Sequence, residues 1–101
     1  MKHIVALTGI SAISASGEDT RLHNSSVNHN LSYDEGLDAW VGKLPKGIQS
    51  KIERIREESR NYQALDPSVL YAMYVSRNAV AQAGWTSGSK FGINIGSSRG
   101  A

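Results

Sequence analysis

The amino-acid sequence predicts an α/β fold in which two short parallel strands, near the two ends of the chain, are joined by a helical crossover. The first predicted strand is a continuous apolar run at residues 4–7, which ends at Gly9. The second is the alternating apolar pattern of residues 91–95, which follows a well-capped helix from Pro67 to Ala83. Because such crossovers are right-handed, both strands would lie in one sheet.

Length and composition indicate one small soluble domain without an internal boundary. The chain has 101 residues, 40% hydrophobic and 20% charged, which permits one modest core and argues against disorder. A formal charge of +2 is too small to indicate nucleic-acid binding, and no stretch approaches the length of a membrane span. The absence of cysteine excludes a disulfide or thiol nucleophile within these residues and favours a cytoplasmic compartment.

The first residues also have the outline of a secretory signal peptide. A basic start at residues 1–3 precedes an apolar stretch at 4–13 and small residues at 14–16. Because Thr8 and Ser11 interrupt the apolar stretch, a buried strand is favoured over a signal peptide. The alternative is a secreted domain from which the first sixteen residues are removed, so that the mature chain starts at Gly17.

Residues 10–36 are rich in Ser, Asn, Gly and Asp and have neither a helical nor a strand period, so we expect a long loop. A connection of this length in a compact domain usually serves a site or an interface. His23 and His29 lie in this loop. Because no third ligand is placed near them, we expect solvated histidines and predict no metal site.

The segment from Gly47 to Tyr62 predicts a surface helix. Its apolar residues fall at four- and three-residue spacing and form a thin stripe: Ile48, Ile52 and Ile55. Basic residues and glutamates alternate over the rest, which favours a solvated face with ion pairs. The alternative is a docking patch for an acidic partner. The candidate residues for this patch are Lys46, Lys51 and Arg54.

The clearest predicted element is the helix from Pro67 to Ala83. Asp66 can cap its first turn, Pro67 suits its first position, and Gly84 supplies a left-handed stop. The predicted core face consists of Val69, Met73, Ser76 and Val80. Small residues beside this face permit close packing: Ala72, Ala79 and Ala83. Parallel strands of this apolar kind need helices on both sides of the sheet, so the predicted fold is incomplete.

A glycine and serine loop follows the second predicted strand, at the edge of the sheet where ligands of open α/β folds bind. The loop matches neither the P-loop nor the Gly-x-Gly-x-x-Gly pattern, so it is either a tight turn or an anion-binding loop. Its candidate site residues are Gly96, Ser97, Arg99 and Gly100. No serine, histidine and carboxylate residues can be paired by a motif, so we predict no catalytic residue in this chain.

The beginning of the chain resembles that of a known enzyme family. The stretch "IVALTGISAISASG" is similar to the opening of the β-ketoacyl synthases, in which the first strand runs into Thr-Gly-x-Gly-x-x-Ser-x-x-Gly. The matching residues are Thr8, Gly9, Ser14 and Gly17. Two residues depart from the family: Ser11 replaces a usual glycine, and Ala15 replaces a frequent proline.

Two later segments extend the resemblance in the same order along the chain. Ala83-Gly84 resembles the end of a family helix, and "FGINIGSSRGA" resembles the strand that enters a Gly-Ser-x-x-Gly loop. The matching loop residues are Gly96, Ser97 and Gly100. The usual Trp-x-x-Leu helix is not visible between Thr20 and Leu31, so the subfamily stays open.

The resemblance implies the first part of a thiolase-like α/β/α/β/α fold, incomplete in this chain. It also implies an acyltransferase that condenses an acyl thioester with malonyl-acyl carrier protein in fatty-acid or polyketide synthesis. The family's nucleophilic cysteine and its two histidines lie downstream of the loop, so no catalytic residue falls within these 101 residues. No cofactor or metal is implied. The implied partners are acyl carrier protein and a second synthase subunit, in a homodimer or heterodimer.

By the same resemblance, the loop from Gly96 to Gly100 lies near the substrate pocket and the dimer contact. Arg99 departs from the small or apolar group that the family often has there, so we expect it in an ion pair or in contact with a polar substrate. Lys46, Lys51 and Arg54 become candidates for docking the acidic carrier protein. The alternative function is a self-sufficient α/β module that binds an anion at the glycine loop.

Overall fold

The computed structural model describes residues 3–18, 30–88 and 90–98. This part of the chain forms a small mixed α/β structure with one two-stranded sheet and two helices. The elements in order are β1 (Leu31–Asp34), β2 (Ala39–Gly42), α1 (Lys46–Glu57), a 3₁₀ turn (Arg60–Tyr62) and α2 (Pro67–Ala83). The α/β class is therefore confirmed, although the sheet is antiparallel.

Helix α2 begins and ends where its capping residues predict. The Asp66 carboxylate accepts a hydrogen bond of 2.9 Å from the Ser68 backbone N–H, and Pro67 occupies the first turn. At the other end, Gly84 adopts a left-handed conformation with φ of 76°, which a residue with a side chain rarely adopts. The predicted helix is thus confirmed.

The core forms where the isoleucine stripe of α1 packs against α2. All three stripe residues, Ile48, Ile52 and Ile55, are buried, which confirms the predicted amphipathic pattern. Their buried partners on α2 are Leu70 and Tyr74.

The predicted core face of α2 was therefore partly wrong. Met73 packs against the core, whereas Ser76 is exposed and Val80 lines a cavity with the N-terminal segment. The physical reason is that α2 is apolar on two sides. Leu70 and Tyr74 meet α1, while Val80 meets a second segment, so a single helical stripe does not describe the helix.

One arginine joins the end of α1 to the connection that follows. Arg56 Nη1 donates hydrogen bonds of 2.9 Å to the carbonyl oxygens of Gln63 and Leu65. Gln63 Nε2 returns a hydrogen bond of 3.0 Å to the Arg56 carbonyl oxygen. The helix predicted to reach Tyr62 ends instead at Glu57, and Gln63 satisfies the Arg56 carbonyl oxygen, which the backbone of a longer helix would have satisfied.

A short β-hairpin begins in the region that the sequence predicts to be a loop, since β1 lies within residues 10–36 and β2 lies just after them. Tyr33 and Trp40 are opposite each other in the register, with ring centroids 5.6 Å apart in an edge-to-face arrangement. In the turn, Asp34 Oδ1 accepts a hydrogen bond of 3.0 Å from the Leu37 N–H, and Asp38 has φ of 49°. The prediction of no strand was wrong here because alternation over four residues is too short to register as a period.

The two predicted parallel strands are not formed. Residues 4–7 and 91–95 have no regular secondary structure, and their apolar side chains are exposed, Ile4 to 92% and Ile93 to 76%. A strand that is apolar on both faces requires neighbours for its backbone groups and cover for its side chains. In the described residues, the two helices bury each other's apolar faces instead of covering a sheet.

Within the described ranges, no helix has the length and apolar character needed to cross a membrane.

Leu70→Ala should strongly destabilise the chain, because Leu70 has no exposed surface and lies at the centre of a small core. Truncation of a buried leucine costs about 2–5 kcal/mol of unfolding free energy. Leu37→Ala, at a side chain that is 70% exposed, is the matched control and should change stability by less than about 0.5 kcal/mol. Urea unfolding followed by circular dichroism measures both variants. Equal losses of unfolding free energy in the two variants would contradict this description of the core.

Candidate functional site

The N-terminal segment around Gly9 packs directly against the backbone of α2. A Cβ atom at Gly9 would lie 3.1 Å from the Ala83 nitrogen and would overlap the Ala79 carbonyl oxygen. Next to it, the Ile10 N–H donates a hydrogen bond of 2.5 Å to Gln82 Oε1. The sequence places glycine where two backbones approach too closely for any side chain.

The small residues of α2 make this approach possible. Ala79 and Ala83 line a cavity of about 230 Å³ together with Ala6, Thr8 and Trp85. The prediction that alanines on this helix permit close packing is confirmed for Ala79 and Ala83.

After this contact the chain makes a tight turn at residues 14–17. Ser14 and Gly17 exchange two backbone hydrogen bonds, each of 2.9 Å, and the Ser16 N–H donates a hydrogen bond of 3.1 Å to Ser14 Oγ. Gly17 closes the turn with φ of 111°, a conformation suited to glycine. The two residues of the bridge, Ser14 and Gly17, are also residues on which the family resemblance depends.

Glu18 anchors the end of this turn to both helices. Its carboxylate accepts a hydrogen bond of 2.8 Å from Tyr74 Oη and one of 3.0 Å from Lys51 Nζ. The hydrogen bond from Lys51 lowers the pKa of Glu18, and the hydrogen bond from Tyr74 adds to this effect. The same contact with Glu18 raises the pKa of Lys51. Sequence reasoning missed this group because its members lie 33 and 56 residues from Glu18 and follow no local spacing.

The three basic docking candidates do not form one patch. Lys51 is paired with Glu18. Lys46 and Arg54 line a shallow groove on α1, but Glu53 and Glu57 line the same groove. Positive charge on this face is therefore balanced by neighbouring carboxylates, which agrees with the solvated-face interpretation. Docking at Lys46 and Arg54 stays a prediction.

The loop from Gly96 to Gly100 contains four candidate site residues, of which two lie within the described residues. Gly96 and Ser97 are exposed and belong to a segment without regular secondary structure, and a Cβ at Gly96 would meet no atom within 4 Å. Arg99 and Gly100 lie outside the described residues. Anion binding at this loop stays a prediction.

The second apolar segment is tied back to the end of α2 by a pair of aromatic rings. The ring centroids of Trp85 and Phe91 lie 5.2 Å apart at an interplanar angle of 31°. Because Trp85 also lines the cavity beside Ala6, the segments at residues 4–7 and 91–95 both lie near the C-terminal end of α2.

Histidine, cysteine, aspartate and glutamate residues in the described ranges form no group of three or more that could hold a metal ion. His23 and His29 lie outside those ranges.

No known protein family, curated protein or solved structure matches the chain in the three comparisons made. The relationship to β-ketoacyl synthases consequently stays a prediction that depends on the residues quoted above.

Gly9→Ala should dislodge the N-terminal segment from α2, because its Cβ would overlap the Ala79 carbonyl oxygen. We expect amide NMR shifts to change at Ile10 and along the last turns of α2. The control is Gly47→Ala, where the new Cβ meets nothing within 4 Å and helix propensity favours alanine by up to about 1 kcal/mol. A spectrum of Gly9→Ala that matches the native one around Ala79 would refute the close approach.

The Glu18→Gln variant should have a lower free energy of unfolding than the native chain, by an amount that depends on pH. Because the folded-state pKa of Glu18 lies below its ordinary value of 4.5, the contribution is fully present above that pH and is lost as pH falls through the lowered pKa. The stability difference between the native chain and Glu18→Gln should therefore be constant near neutral pH and shrink in acid. Urea unfolding at pH 7, 4 and 3 measures it.

The control for this experiment is Glu35→Gln in the exposed hairpin turn, which reports the general effect of removing one negative charge. If Glu18→Gln loses no more unfolding free energy at pH 7 than Glu35→Gln does, the role of Glu18 as an anchor is contradicted.

Proposed function

We propose that this chain is the N-terminal portion of a β-ketoacyl synthase homologue with a thiolase-like fold. In its complete form, the protein would condense an acyl thioester with malonyl-acyl carrier protein in fatty-acid or polyketide synthesis. The observation that supports this most directly is the seating of Gly9, the second residue of the family-like motif, against the backbone of α2.

Three of the glycines that carry the resemblance lie where the backbone favours glycine, whereas Gly96 has no such requirement. Gly9 is required by close approach, while Gly17 and Gly84 have φ of 111° and 76°. A chance match of motif letters would not be expected to coincide with three separate steric requirements for glycine. This coincidence supports treating the matched positions as parts of one structural pattern.

The exposed apolar segments support a role as part of a larger assembly. Five side chains in the two segments are at least 69% exposed: Ile4, Val5, Leu7, Ile93 and Ile95. Contiguous apolar surface of this kind usually marks a surface that another protein element covers. In this proposal, the remainder of the synthase domain supplies that cover.

In this proposal, the catalytic cysteine lies outside the 101 residues, because they contain no cysteine. In the complete protein, a cysteine thiolate outside these residues would attack the thioester carbonyl of acyl-acyl carrier protein and release the carrier thiol. Decarboxylation of the malonyl group would then release CO₂ and provide the carbanion that attacks the acyl-enzyme carbonyl, and collapse of the oxyanion would expel the cysteine thiolate. Histidines and backbone N–H groups would stabilise that oxyanion. These 101 residues would supply scaffold, the wall of the pocket at Gly96 and Ser97, and subunit contacts.

Acyl transfer to the natural protein tests this proposal. The protein is incubated with acyl carrier protein that bears a radiolabelled acyl thioester, and its peptides are then mapped. We expect the label on a cysteine outside the 101 residues, which contain no cysteine. The 101-residue chain alone is the control and should neither take up label nor catalyse condensation. Condensation by this chain alone, or a natural protein with a mass of only 10.9 kDa, would contradict the proposal.

A further inference from the structure

A cavity of about 640 Å³ lies among the turn at residues 14–17, the end of β2, α1 and the first turn of α2. Its apolar wall includes Ile13, Leu44, Ile52 and Pro67. The volume falls in the range of small-molecule sites, which combine an apolar lining with a few polar groups. The cavity is separate from both glycine-loop segments that the proposed function uses at residues 8–9 and 96–97.

The polar groups of this cavity include one cation that is only loosely paired. Lys43 Nζ lies 3.9 Å from Asp34 Oδ2, at the outer limit of an ion pair, and its side chain is 62% exposed. Exposed pairs of this kind contribute little, about 0–1 kcal/mol, so Lys43 is free to turn toward a ligand. The carboxylate that also lines the cavity, Glu53, is held 3.3 Å from Arg56 Nε.

A second residue with a hydrogen-bond donor lines the same cavity. Tyr71 lines the cavity and is 38% exposed, and its hydroxyl makes no hydrogen bond within the described residues. A carboxylate placed beside Lys43 could accept hydrogen bonds from the ammonium group and from this hydroxyl. A cationic ligand would instead meet Lys43, and Glu53 is already neutralised by Arg56.

We propose that this cavity binds a small carboxylate with an apolar body. The carboxylate pairs with Lys43 and Tyr71, and the apolar body packs against Ile13, Leu44 and Ile52. This site does not depend on the proposed function, since it uses none of the residues that carry the family resemblance other than the turn at Ser14 that borders it.

The test compares two probes of matched shape and opposite charge, 3-phenylpropionate and 3-phenylpropylamine, by amide NMR titration of the 101-residue chain. We expect 3-phenylpropionate to shift amides at Ala15, Leu44 and Tyr71 in a saturable manner, and the amine to leave them unchanged. Lys43→Gln should weaken carboxylate binding about fivefold, the value of one exposed ion pair. Lys90→Gln makes the same charge change outside the cavity and should bind as the native chain does.

Tyr71→Phe provides a second variant, which should also weaken binding because it removes one donor while keeping the ring. Equal binding of the amine, shifts confined to the exposed apolar residues 91–95, or native affinity in Lys43→Gln would each overturn the proposal. Because the two probes are compared on the native chain, this result does not depend on the folding of any variant.

Discussion

The packing of α1 against α2 is the interaction on which the rest of the structure depends. Three isoleucines from α1 and two residues from α2, Leu70 and Tyr74, make up the buried core. The hairpin precedes α1 directly, and the N-terminal segment lies on α2. The helix pair supports the N-terminal segment and the 3₁₀ turn directly, whereas the two strands of the hairpin pair with each other. A two-stranded hairpin has little stability by itself.

Tyr74 connects this core to the turn at residues 14–17 through Glu18. Its ring is buried between the helices, while its hydroxyl donates to Glu18 at the end of the glycine turn. Lys51 reaches the same carboxylate from α1. The Glu18 carboxylate therefore joins the end of the turn to both helices.

Local sequence signals predicted the helices well. Asp66, Pro67 and Gly84 act on backbone groups within a few residues, so the ends of α2 could be predicted from the sequence alone. The isoleucine spacing likewise predicted the buried face of α1. The parallel strands could not be predicted reliably, because an apolar run indicates that a segment needs burial but does not identify what buries it. No local sequence pattern predicted the role of Glu18, since its hydrogen-bond partners are distant along the chain.

The ring pair of Trp85 and Phe91 has a consequence for how the two apolar segments become ordered. Trp85 contacts Phe91 and also borders the cavity beside Ala6, so both segments lie near the same end of α2. A surface that captures one segment therefore holds the other at a high effective concentration. The second contact then loses less conformational entropy than the first, and cover of the two segments becomes a single cooperative event.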